Sequence, residues 1–119
     1  MRYWLAAAVM MAAIWWESSR TFDFPPGLPT FSDKIIHATC WAVLAALMAL
    51  GALARRHGAK VAIAGAFVVA AAYGAVDEWH QSHVPGRDAS LGDLAADATG
   101  ALLGAALAAA YYRRHGDRS

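Results

Sequence analysis

Charge is scarce in this sequence: 16% of its 119 residues are Asp, Glu, Lys or Arg, and the formal net charge is only +1. So small an excess, spread over both ends of the chain, makes no basic patch, and none of the nucleic-acid-binding motifs occurs, which excludes a DNA or RNA partner. Cysteine is almost missing as well. Cys40 stands alone inside an apolar run, so a disulfide framework is excluded. No serine lies in a G-x-S-x-G turn, no Walker loop is present and no H-E-x-x-H pattern occurs, which removes the usual grounds for nucleophilic, nucleotide or zinc-protease chemistry. No cofactor is expected. What the sequence has in abundance is apolar residues, 59% of the total with thirty alanines among them, a composition of membrane type that fits neither an ordinary soluble domain nor a disordered chain.

Four apolar runs, residues 3–16, 35–54, 61–76 and 94–112, are candidate spans. The first and third are short: a helix rises ~1.5 Å per residue against a hydrocarbon core of ~30 Å, so they cross only with help from flanking residues. The first run follows Arg2 as a signal peptide would. It closes on Trp15, Trp16 and Glu17, however, where cleavage needs small residues, and it reads as a retained helix. The expected fold is therefore an all-α membrane protein, a four-transmembrane-helix bundle in one domain over residues 1–119, with helices at about 3–17, 33–54, 60–81 and 90–113. Trp15, Trp16, Tyr111 and Tyr112 suit the interfacial aromatic belt. Arg2, the Arg55, Arg56 and Lys60 loop, and the Arg113, Arg114 and Arg118 tail fall on one side in this topology, so both termini are expected in the cytoplasm. The loops at 17–34 and 78–90 then face outward. The first carries Pro25, Pro26 and Pro29, which lack backbone donors and block a continuing helix.

The polar residues gather at the outward end. Lys34 and His37 open the second helix, Asp77, Glu78 and Gln81 close the third, and Arg87, Ser90, Asp93 and Asp97 lead into the fourth. Ionisable groups at membrane depth are costly and usually face the bundle interior, so such a gathering points to a functional site. Asp33 and His37 are four residues apart, which lets the carboxylate select the imidazole tautomer; a helix-start pair at the interface, with Lys34 snorkelling, is the structural alternative. Asp77 and Glu78 sit at a helix C-terminus, where the macrodipole favours cations, and call for a compensating charge from His37, Lys34 or Arg87. Arg87 next to a helix N-terminus suits an anion such as a phosphate or carboxylate, although a surface ion pair with Asp88 or Asp93 accounts for it equally well. Ser90 and Asp93 form a capping box. Asp93, Asp97, Gly100 and Gly104 recur at spacings of four, three and four, a stripe on which two glycines admit a close helix neighbour and two acids point into the same contact. Asp97 is the deepest acid. His80 and His83 are three apart, but without a fuller ligand pattern they are a weak basis for a metal, and no metal is assigned.

Asp33 to His37, then Asp77 to Gln81, then Val84 to Asp93 with Gly100 beyond, taken in that order, resemble the VanZ-like family of small bacterial membrane proteins. The resemblance spans residues 33–104, and Asp97 departs from it, since members often carry asparagine there. It implies a multi-helix protein of the bacterial cytoplasmic membrane and a link to resistance against the glycopeptide teicoplanin; it brings no established reaction. Two functions are carried forward. In one, the polar pocket at the outer face binds or modifies an anionic headgroup or lipid-linked wall precursor: Glu78, Asp77 and His37 are the candidate acid–base groups, and Lys34, Gln81, Arg87 and Asp93 the candidate binding groups. Ser90, Asp97, Gly100 and Gly104 are then structural. In the other, the same cluster is a non-catalytic lock or a surface for docking a partner. Whether the protein is an enzyme stays open at this point.

Overall fold

A computed structural model describes residues 1–19, 32–85 and 91–116, with the backbone alone for Ser32 and Asp33. The chain is all-α, with four helices: α1 (Arg2–Ser18), α2 (Ser32–Ala54), α3 (Ala59–Gln81) and α4 (Leu91–His115). Three of them are long and apolar enough to cross a membrane: α2 from Lys34, α3 and α4. At 17 residues, α1 is about 26 Å long, short of a ~30 Å hydrocarbon core. The short third run gains its length at both ends. It takes in Lys60 at one end and Asp77 to Gln81 at the other, where the acids turn into the bundle and do not end the helix.

The helices alternate in direction, and α2 is in contact with each of the other three. Its closest partner is α4. A Cβ added at Gly100 would run into the backbone carbonyl of Ala38, and one added at Gly104 into that of Ala42. Because both positions advance by four residues, the two helices run parallel, backbone against backbone, for more than a turn. Small residues provide this contact because lipid tails are as apolar as leucine, so close van der Waals packing must hold membrane helices together. Elsewhere the core follows the same logic, with Ala45, Ala49, Ala66, Ala70, Ala101 and Ala105 buried around Trp41 and Leu44. Many of the larger side chains, Val43, Val68, Val69, Leu102, Leu103 and Leu107 among them, are left on the outside.

The connection between α2 and α3 is closed by Arg56 at φ 68°, with His57 N donating to Ala52 O and Arg56 N to Leu53 O, the bonding of a Schellman turn. That connection, Arg2, and the end of α4 share one end of the bundle. The acids of α3 and α4 occupy the other, together with the start of α2 and the end of α1.

Candidate polar site at one end of the bundle

Each helix brings its polar residues to this end through its own periodicity. On α2, His37 and Trp41 are one turn apart and their rings lie parallel, with centroids 6.0 Å apart and 6° between planes. On α3, Tyr73, Asp77 and Gln81 fall on one face at intervals of four. On α4, Asp93 and Asp97 lie on the same stripe as the glycines that bring α4 against α2, so the close packing also delivers the two carboxylates to α2. Asp77 and Asp97 are fully buried, and Gln81, Asp93, Glu78 and His37 are nearly so.

The site is built around Asp97, which approaches His37 from the neighbouring helix with Oδ1 3.4 Å from Nδ1. Among the described residues, His37, Glu78 and Asp97 each offer a donor atom, and the three atoms lie within 4.8 Å of one another. An imidazole between two carboxylates can pass a proton or hold a cation. Gly74 leaves the room for this: a Cβ there would stand 3.0 Å from Trp41 Nε1 and 3.5 Å from Asp97 Oδ2. Trp41 is fixed by a buried hydrogen bond in which Nε1 donates to Ala70 O at 2.9 Å.

Around this centre the remaining polar groups tie helices together. Gln81 Nε2 donates to Ser18 Oγ at 3.1 Å and to Asp77 Oδ2 at 3.2 Å, linking α3 to the last turn of α1. Tyr73 donates its hydroxyl proton to Met11 O at 2.6 Å. Lys34 Nζ donates to Asp93 Oδ1 at 3.1 Å, an ion pair between α2 and α4 with the lysine half-exposed and the aspartate buried. Beside the cluster lies a cavity of about 160 Å³. Met10, Ala13, Ile14, Ile36, Cys40 and Trp41 form its apolar wall, and Glu17, Ser18, His37, Asp77 and Gln81 give it a polar side.

Of the residues singled out in the sequence, the structure thus brings Lys34, His37, Asp77, Glu78, Gln81, Asp93 and Asp97 to one end. Arg87, Ser90 and the side chain of Asp33 lie outside the described residues, and with them the anion site, the capping box and the Asp33–His37 pair. His80 and His83 go elsewhere. The His80 ring stacks on Trp15 with centroids 3.8 Å apart, and its Nε2 is 3.3 Å from Ser19 Oγ; His83 Nδ1 donates to the Trp79 carbonyl at 2.9 Å. Tyr73 and Gly74 line the turn below the acids, as their spacing in the sequence implies, whereas sequence reasoning misses Trp41 and Ser18. Trp41 had a signal in the sequence, standing four residues from His37, but nothing local marks Ser18.

A family model, VanZ/LLP1, matches residues 3–112, from the start of α1 to the last turns of α4 and across the whole of this site. The chain belongs to the VanZ/LLP1 family. No curated protein and no solved structure matches it. With its three long apolar helices, it is a multi-pass membrane protein of VanZ type.

Proposed function

We propose that this VanZ-type protein lies in the bacterial cytoplasmic membrane with its polar end outward and takes the headgroup of an anionic lipid or lipid-linked wall intermediate into that end. The observation that carries the reading is the two-sided cavity: apolar residues of α1 and α2 suit a hydrocarbon chain, and His37, Asp77 and Gln81 suit a polar head. The orientation follows from Arg2, Arg55, Arg56, Lys60, Arg113 and Arg114, all at the opposite end and on the cytoplasmic side by the positive-inside rule. Residues 1–119 act as one VanZ-like domain with all four helices in the bilayer. In this reading Lys34 and Arg87 hold the anion, Gln81 and Asp93 orient it, Glu78 or Asp77 acts as a base and His37 relays the proton. Altered glycopeptide sensitivity is the expected consequence in the cell. A second reading, a non-catalytic lock or partner-docking module, is favoured by one specific observation: the Gln81, Tyr73, Trp41 and Lys34 hydrogen bonds each join two different helices.

Native mass spectrometry of the purified protein in a mixture of phosphatidylglycerol, a polyprenyl phosphate and phosphatidylcholine tests the proposal. One anionic lipid per chain should be retained in preference to phosphatidylcholine, and Lys34→Ala should reduce that preference several-fold. Equal retention of all three would refute the headgroup reading and leave the lock.

A further inference from the structure

We infer that His37, Glu78 and Asp97 form a binding site for one divalent first-row transition-metal ion. Three side chains from three different helices converge so that one donor atom of each lies within 4.8 Å of the others, and drawing them inward by about an ångström would bring them to the ~2.0–2.2 Å bonds of a single ion. The second observation is Asp97 itself. Its side chain is fully buried, His37 Nδ1 stands 3.4 Å from Oδ1, and among the described residues neither oxygen accepts a hydrogen bond of good geometry. A buried carboxylate with so little compensation is expensive, and a cation supplies what the helices do not. Gly74 leaves space beside Oδ2, on the side from which α3 would otherwise crowd it.

The donor set fixes the class of ion. One imidazole nitrogen with two carboxylates suits Zn²⁺, Mn²⁺ or Fe²⁺, whereas Ca²⁺ takes six to eight oxygens and Mg²⁺ retains most of its water. Two carboxylates also complement the charge of a 2+ ion. Three protein ligands leave a coordination position open, as in catalytic rather than structural sites. His37 belongs both to this triad and to the wall of the cavity, so the ion would lie next to the cavity. The assignment goes beyond the headgroup reading and does not depend on it, because its readout is metal content and ligand identity.

The test uses the full-length, tag-free chain in nanodiscs, stripped with a chelator and titrated with Zn²⁺ or Mn²⁺ by calorimetry, with bound metal counted by mass spectrometry. One ion per chain is expected. Asp97→Asn and His37→Gln should each weaken binding by at least about tenfold, the scale on which even supporting groups of metal sites matter, whereas His80→Gln should leave it unchanged. X-ray absorption on the unmodified Zn²⁺-loaded chain should show one imidazole, oxygen ligands and no sulfur, a result that does not depend on any variant folding. The inference is overturned by an absence of stoichiometric binding, by a spectrum with two imidazoles, by a preference for Ca²⁺ or Mg²⁺, or by a folded Asp97→Asn protein that binds as tightly as the parent.

Discussion

Glu78 is where a binding site and a structural lock part company. Glutamine at this position keeps the shape and most of the hydrogen-bonding capacity but removes the charge and the basicity. If Glu78 serves a ligand, Glu78→Gln should reach the membrane at parental levels, melt near the parental temperature and lose lipid retention. If the cluster is a lock, removing one member of a buried charged pair costs about 3–5 kcal/mol and the variant should be depleted. Quantitative blotting with a thermal melt separates the two, and the first outcome is expected. At this scale the sequence was legible in part. The acids, His37 and Gln81 stood out because charge and amides are rare at membrane depth. The nearness of Asp97 to His37 did not, because the two are 60 residues apart and the neighbours visible within one helix were Asp33 and Lys34.

At the scale of the element, the meeting of α2 and α4 sets the His37–Asp97 and Lys34–Asp93 distances. The carbonyl of Ala38 occupies the place of a Gly100 side chain, and backbone cannot yield as a side-chain tip does. Gly100→Ala should therefore push the helices apart at a cost of about 1–3 kcal/mol, the usual range for overpacking. Gly65, on α3, is the contrast: nothing lies within 4 Å of a Cβ there, and Gly65→Ala should gain up to about 1 kcal/mol from helix propensity alone. Thermal unfolding of the two variants in the same detergent measures the difference, and equal midpoints would show that the glycine contact is not what holds α4. The four helices were legible as apolar runs, and the glycine stripe of α4 as a spacing. The rotation of each helix about its axis was not, because alanine on nearly every face of α2, α3 and α4 gives little contrast between an inner and an outer side.

For the whole molecule, size is sorted the opposite way from a soluble core, with alanine and glycine inside and many of the valines and leucines outside, as expected where lipid supplies the apolar surroundings. Charge is sorted by end. Described arginines and Lys60 lie at one end, and the buried acids at the other, around a cavity whose wall includes the only cysteine of the chain. In the function proposed above, this cavity opens to the outer face and admits a polar head. Cys40, half-buried on its wall, reports on that directly and without substitution. A small charged methanethiosulfonate reagent should modify Cys40 in sealed spheroplasts, at a rate slowed by short-chain phosphatidylglycerol, and should fail to do so in inside-out vesicles. Modification confined to the inside-out vesicles, or none from either side, would refute that function.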